Sequence, residues 1–119
     1  MAARPIFGPG PDTLLVDGRA VGPLAVARTS KERGRGLLGT SGVAGALWLT
    51  RAPSVHMVGM RYPIDVAVLD RDGVVLKVAT LRPWWGITRP RKGASVTVEA
   101  AAGAMATWGV REGSHLAIG

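Results

Sequence analysis

The sequence predicts a mainly β protein, α+β by count of elements, in which a small antiparallel sheet curls into a partial barrel beside one or two short helices. Three observations lead to this fold class. Six or more short apolar runs follow one another at close spacing, turn signals separate them, and only two stretches have helical character. A length of 119 residues suits one domain that buries its own core.

The composition divides the chain into two parts. Residues 1–12 are rich in proline and glycine, which interrupt regular structure, and we expect a flexible N-terminal arm there. Residues 13–119 contain no repeat and no low-complexity tract, and they predict a single β-rich domain. No run resembles a signal-peptide core or approaches the ~20 apolar residues of a membrane span, so we expect a cytoplasmic protein with no membrane span.

The first two strands are predicted on either side of a turn. Residues 14–16 are apolar and predict a strand, and Asp17 with the glycine after it is a typical hairpin turn. The next strand is expected at residues 24–28, because Pro23 and the glycine before it should interrupt the run.

A short helix is predicted after Thr29. Thr29 and Glu32 match the capping box, in which the hydroxyl and the carboxylate each satisfy a backbone N–H left free at the helix start. The helix should end near Gly39. The two glycines inside it each cost about 1 kcal/mol relative to alanine, so the helix needs packing, and Leu37 and Leu38 should be buried.

The remaining elements are mostly strands. The clearest hairpin joins residues 64–69 to residues 74–78 through an Asp-Arg-Asp-Gly turn at 70–73. A loop follows at residues 82–92, and residues 101–108 suit one short helix. Further strands are predicted at residues 45–49, 54–58, 95–100 and 116–118.

The composition also excludes several classes of site. The chain has no cysteine, which removes disulfides, zinc–thiolate sites, iron–sulfur clusters and cysteine nucleophiles. It has no Gly-x-Ser-x-Gly motif, and only His56 and His115 could act as the base for a serine nucleophile. The net charge is +7, with the excess spread over both halves of the chain.

Two motifs resemble cofactor or metal sites but have simpler interpretations. Residues 34–39 reproduce the Gly-x-Gly-x-x-Gly dinucleotide pattern, yet the capping box places them inside or at the end of a helix rather than at its start. His56 and Met57 beside Met60 would suit Cu(I), but neighbours in a strand point to opposite faces. We therefore expect no cofactor and no metal.

Two carboxylates are set among apolar strand residues. Asp65 stands near the start of the 64–69 strand, and if it is buried it needs a hydrogen-bonded or charged partner. The nearest candidates are Arg33, Arg61 and His56. Alternatively, Asp65 holds a turn at the strand end. Glu99 lies on the polar side of its strand, where exposure to solvent is the simpler expectation.

The loop at residues 82–92 mixes basic and aromatic side chains, a composition that stacks bases and neutralises phosphates. Because the chain lacks Asn and Gln, which pair with adenine, any nucleic-acid binding would be non-specific and sensitive to salt. A solvated loop with one tryptophan packed on the barrel is the preferred interpretation. The candidate side chains are Arg82, Trp84, Trp85, Arg89, Arg91 and Lys92.

Several blocks of sequence occur together in an order typical of one family. They are Ala27-x-Thr29-x-x-Glu32-Arg33-x-x-Gly36-Leu37-Leu38, Gly45-Ala46-Leu47-Trp48, His56-Met57-x-x-Met60-Arg61-x-Pro63-Ile64-Asp65, Asp70-x-x-Gly73-Val74-Val75, Val98-Glu99-x-x-x-Gly103 and Gly109-Val110-x-x-Gly113.

With these blocks, about residues 24–118 of the chain resemble the family known as domain of unknown function 192, also called uncharacterised protein family 0127. The resemblance implies a small, mostly β fold and no established biochemical activity. It also marks Glu32, Arg33, Asp65 and Glu99. The lysine that is usual in this family is Val58 here, so no role of that lysine is carried over.

Three hypotheses about function remain open, and only the second names candidate catalytic residues. The first is a non-catalytic ligand-binding or accessory module for an unknown small ligand or protein, in a monomer or weak dimer. The second is an acid/base hydrolase-like enzyme that uses Asp65 or Glu99 with His56. The third is a binder of anionic partners through residues 82–92, with nucleic acid the less favoured partner. The first hypothesis predicts a polar groove lined by Glu32, Arg33, His56, Arg61, Asp65 and Glu99.

Overall fold

A seven-stranded sheet curls into a half-barrel and forms the frame of the chain, which confirms the predicted fold class. The computed structural model describes residues 3–119. The strands are β1 (Ile6–Phe7), β2 (Asp12–Val16), β3 (Arg19–Ala27), β4 (Gly42–Val43), β5 (Ala46–Leu49), β6 (Ile64–Leu69), β7 (Val75–Leu81), β8 (Val96–Ala101) and β9 (Leu116–Ile118), and the helices are α1 (Ser30–Arg35) and α2 (Ala104–Thr107).

The spatial order of the large sheet is β7-β6-β8-β5-β3-β2-β9. Neighbouring strands are antiparallel except for the pair β3 and β5, which is parallel. The late strand β8 lies between β5 and β6, so the chain must cross over the sheet to pass from β5 to β6. Within the segment predicted as an arm, β1 pairs in parallel with β4.

In the first hairpin the predicted turn at Asp17 is confirmed, whereas the predicted break at Pro23 is absent. Asp17 and Gly18 have φ angles of 50° and 80°, as a two-residue hairpin turn requires. The predicted interruption at Pro23 is wrong, since β3 is continuous through it. The parallel partner β5 pairs only from Leu24 onward. The proline therefore lies outside the stretch with strands on both sides, where its missing N–H does least harm.

Helix α1 begins as predicted and ends early. Thr29 Oγ1 accepts a hydrogen bond from Glu32 N at 3.1 Å, and the Glu32 carboxylate accepts from Thr29 N at 3.0 Å. The helix stops at Gly36 rather than near Gly39, because Gly36 has φ +48°, a conformation that ends a right-handed helix. Leu37 is buried as expected, whereas Leu38 is exposed.

Two further sequence expectations need correction. Residues 54–58 do not form a strand; within this segment only His56 makes a β-bridge, to Ile87. The second helix covers Ala104–Thr107, less than the predicted 101–108, because β8 continues to Ala101 and the glycine at 103 turns the chain.

The curled sheet buries a separate apolar cluster on each of its faces. One cluster includes Leu14, Leu69 and Val98 and packs against Met105 of α2. The other includes Leu37, Leu47, Leu49, Met57, Met60 and Val66, and it lies under the segments that cross over the sheet. Between residues 3 and 119, no helix has the length and apolar character that crossing a bilayer would need.

Candidate functional site

Two crossover segments pass over the same face of the sheet and leave a groove between them. The first carries the chain from β3 to β5 through α1, and the second carries it from β5 to β6 through residues 50–63. Glu99 of β8, the strand between β5 and β6, lies in the gap. We call this cavity, of about 170 Å³, the Glu99 groove; it is lined by Arg33, Gly34, Arg35, Gly36, Leu37, Leu38, Leu49, Ala52, Ser54, Val55, His56, Val58, Met60 and Glu99.

Glu99 is buried at the base of this groove, and its carboxyl group has no hydrogen-bond partner among residues 3–119. Its side chain is only 6% exposed, and burial raises the pKa of Glu99 to about 7 from 4.5. Within residues 3–119 no donor forms a hydrogen bond with its carboxyl group, and desolvation alone accounts for the raised pKa. The expectation that Glu99 is exposed was wrong, because polar neighbours in the strand cannot show that two distant segments cover this face.

The backbone of Gly36 forms part of the wall above Glu99. A Cβ atom built at Gly36 would lie 3.6 Å from Glu99 Oε1, which is van der Waals contact. The left-handed φ of Gly36 ends α1, and the main chain at this point passes close to the carboxyl group.

Tyr62 lies near Glu99 and was missed by the sequence analysis. Its hydroxyl is 2.7 Å from Thr40 Oγ1, which donates to the Leu37 carbonyl at 2.6 Å. Because Thr40 has only one proton to give, Tyr62 must be the donor in their shared hydrogen bond. Burial raises the pKa of Tyr62, and the charge of the nearby Glu99 raises it further. The only available signal was that Tyr62 is the single tyrosine of the chain.

Arg33 and His56 lie on opposite walls of the Glu99 groove. Arg33 donates to the Thr50 carbonyl and to Ser30 Oγ, both at 3.1 Å, and so ties α1 to the second crossover segment. His56 is exposed, and its Nδ1 accepts from Val58 N at 3.3 Å. A neutral His56 with this bond carries its proton on Nε2, which is then available to a ligand.

Asp65 lies on the other face of the sheet and has partners that the sequence did not suggest. It pairs with Ala100, the residue after Glu99, so alternation along β8 separates the two carboxyl groups. Asp65 is buried, and it accepts hydrogen bonds from Thr80 Oγ1 at 2.6 Å, Gly103 N at 2.9 Å and Met105 N at 3.1 Å. These donors replace the expected Arg33, Arg61 and His56, and they fix the start of α2 to the sheet.

Two other candidate residues lie outside the Glu99 groove. The Glu32 carboxylate accepts from the backbone N–H groups of Thr29 and Arg28, and these bonds lower its pKa. Glu32 instead lines a second cavity of about 390 Å³ beside Phe7. Arg61 is exposed and is not part of the groove wall. Of the six side chains proposed for one site, Arg33, His56 and Glu99 are therefore together.

The loop at residues 82–92 is exposed and held by its main chain. Met57 N donates to the Gly86 carbonyl at 2.9 Å, and Trp84 N donates to the Met57 carbonyl at 3.0 Å. The expectation that one tryptophan packs on the barrel was wrong, since Trp84 and Trp85 are both exposed. These backbone bonds already anchor the loop, so no indole is needed for that purpose. Arg82, Arg89, Arg91 and Lys92 are exposed as well.

The half-barrel with two crossover segments over a buried carboxyl group defines a small β-rich domain with a polar groove. The model of the DUF192 family, described as an uncharacterized ACR, matches residues 13–118. The chain therefore belongs to the DUF192 family.

Solved structures show the same fold without giving a function. A protein of unknown function from Novosphingobium aromaticivorans DSM 12444 is 23% identical, with a TM-score of 0.75 over 98% of this chain and 94% of that one. A proposed transcription regulator from Sinorhizobium meliloti 1021 is 20% identical, with a TM-score of 0.76 over 90% of this chain and 92% of that one. The search of curated proteins gave no match.

Proposed function

We propose that the chain is a non-catalytic ligand-binding or accessory module, and that the Glu99 groove takes a small ligand with an apolar body and a hydrogen-bond-donating group. The observation that carries this proposal is the burial of the Glu99 carboxyl group without a donor from the described part of the chain. A carboxyl group that is mostly withdrawn from solvent and lacks a donor is costly to ionise. A ligand donor at this point would relieve that cost and so bind with a free-energy advantage.

The walls of the groove support this ligand chemistry. Leu37, Leu49 and Met60 offer apolar surface beside Glu99, while the Arg33 guanidinium is already engaged by Thr50 and Ser30. A volume of about 170 Å³ is below the ~300 Å³ at which drug-sized pockets begin, so it suits a small molecule. An amine or hydroxyl group on a short aliphatic chain matches these features.

A set of four-carbon probes tests this proposal by NMR. Backbone amide shifts of residues 34–38 and 55–60 are followed during titration with n-butylamine, n-butanol and butyrate. We expect saturable shifts with Kd values of the order of millimolar for the two donors, as five-atom ligands allow, and a clear preference for both over butyrate. E99L should weaken n-butylamine binding about tenfold or more, whereas E112L, at an exposed acid, should not change it. Absence of saturable shifts, or equal binding by E99L, would contradict the proposal.

A second candidate function is acid/base catalysis by Glu99 and His56. The observation that favours it is the pKa of Glu99 near 7 in a groove that His56 also lines, since a catalytic acid or base works best with a pKa near the working pH. Asp65 does not belong to this candidate pair, because it lies on the other face with its oxygens engaged. Hydrolysis of p-nitrophenyl acetate that is lost in both E99Q and H56A, and kept in H115A, would favour the enzyme over the binding module.

A further inference from the structure

We propose that an exposed apolar patch beside the Glu99 groove docks the protein on an anionic lipid bilayer. The patch consists of Leu38, Val58, Trp84, Trp85 and Ile87, and we call it the tryptophan patch. It contains five of the seven large hydrophobic side chains that are exposed within residues 3–119. Trp85 is 83% exposed, Ile87 63%, Val58 57% and Trp84 53%, so these side chains project from the surface rather than fill gaps in it.

The members of the tryptophan patch are adjacent in space. Residues 55–58 and 84–88 run side by side, joined by the His56–Ile87 bridge and by the hydrogen bond from Thr88 N to the Val55 carbonyl at 3.0 Å. Leu38 reaches the same segment from the first crossover, because its Cδ2 lies 3.0 Å from where a Cβ of Gly59 would be. The apolar side chains therefore form one surface that three segments of chain build.

The backbone holds this surface in a fixed arrangement. Trp84 has φ +68°, a left-handed conformation that bulky side chains rarely adopt. Its N–H is tied to the Met57 carbonyl at 3.0 Å, so the strained conformation is maintained by the neighbouring segment. Strain of this kind at an exposed aromatic residue is typical of a functional surface.

The segments of chain that build the tryptophan patch carry charge of one sign. Residues 33–64 contain four basic and no acidic side chains, and residues 73–98 contain five basic and no acidic ones. Of the four acids that flank these segments, Asp65 and Glu99 are buried, while Glu32 and Asp72 are exposed at the far ends. Arg82 and Arg89 are exposed next to the tryptophans. An anionic partner is therefore favoured.

The aliphatic side chains distinguish a lipid bilayer from a nucleic acid. Single-stranded nucleic acids are held by aromatic platforms on which bases stack, and Val58, Ile87 and Leu38 offer no such platform. A bilayer interface accepts aliphatic side chains below the headgroups, tryptophan at the level of the headgroups, and arginine against anionic lipid. All three features occur together in this patch.

A flotation assay with lipid vesicles tests the proposal on the full chain. Vesicles of phosphatidylcholine alone are compared with vesicles that contain about one third phosphatidylglycerol, and binding is read from the floated fraction and from the tryptophan emission maximum. We expect binding to the anionic vesicles to be about tenfold tighter, to shift tryptophan emission to the blue, and to weaken as salt is raised.

Matched variants connect the binding to this surface. W85S/I87S should reduce binding about tenfold, while I6S/I118S, which alters exposed apolar residues outside the patch, should bind like the unaltered chain. R82S/R89S should lose the preference for anionic vesicles, and R71S/R111S should keep it. Unchanged thermal unfolding midpoints would show that the variants are folded.

Three results would overturn the proposal. They are equal binding to neutral and anionic vesicles, binding that W85S/I87S leaves unchanged, and no binding to anionic vesicles. In the last case, binding of oligo-dT that the same variant abolishes would assign the patch to single-stranded nucleic acid instead. None of these results bears on the small-molecule titration of the groove, so the two proposals can fail separately.

Discussion

Asp65 and Glu99 are both buried carboxylates on adjacent strands of one sheet, and they have opposite surroundings. Asp65 accepts three hydrogen bonds, two of them from backbone N–H groups at the start of α2. Glu99 accepts none from residues 3–119, and its pKa is raised to about 7. The difference shows that burial alone does not define a functional acid. A carboxylate with its oxygens engaged holds the fold, whereas one left unengaged in a groove is available for a ligand or a proton.

The largest effect is expected from removal of the Asp65 carboxylate. D65A leaves the N–H groups of Gly103 and Met105 without an acceptor, and we expect a loss of about 4 kcal/mol in the free energy of unfolding. Urea denaturation measures this loss. As a control, D72A changes an exposed side chain of the 70–73 turn and should stay within about 0.5 kcal/mol. Similar values for the two variants would remove the structural role assigned to Asp65.

Glu99 should affect stability only through its ionisation. In the unfolded chain Glu99 ionises near its ordinary pKa of 4.5, while in the folded chain it stays protonated up to about pH 7. The unfolded state therefore releases its proton first, and Glu99 lowers stability progressively as the pH rises from 4.5 to about 7.

E99Q removes this titration and isolates its effect. The free energy of unfolding of E99Q minus that of the unaltered chain should rise by about 3 kcal/mol between pH 4 and pH 8. A rise in the pKa of Glu99 from 4.5 to about 7 corresponds to a free energy of that size. Guanidinium denaturation at a series of pH values gives this difference. E112Q, at an exposed acid, should give a nearly flat curve. A flat curve for E99Q as well would mean that Glu99 titrates normally.

The smallest effect is expected from the exposed partner of Asp65. Thr80 Oγ1 donates to Asp65 Oδ1 at 2.6 Å, and T80A should cost about 1 kcal/mol because solvent can replace this bond. T80S keeps the hydroxyl group and should cost less. In D65N the effect of T80A should shrink, because the two groups form one network. Urea denaturation of the unaltered chain, T80A, D65N and T80A/D65N measures this coupling. If the losses in free energy of unfolding simply add, the two side chains are not coupled.

The sequence predicted the site only in part, and the failures have one cause. Glu32, Arg33, His56 and Asp65 were selected because they are polar residues near apolar runs, but their partners depend on the path of the chain. The donors to Asp65 lie 15, 38 and 40 residues away. No pattern within a strand contains that information. The same holds for Leu38, which is exposed although its neighbour Leu37 is buried.

The sequence by itself determined the features that depend on hydrogen bonds between near neighbours. These are the capping box at Thr29, the turn at Asp17, and the 70–73 turn, in which Asp70 Oδ1 accepts from the backbone N–H groups of Asp72 and Val74. Only the tertiary structure decided the burial of Glu99, because it requires β8 to enter the sheet between β5 and β6 while two crossover segments cover the same face. Local turns are fixed by contacts over a few residues, whereas the environment of a buried charge is set by whichever distant segments exclude water from it.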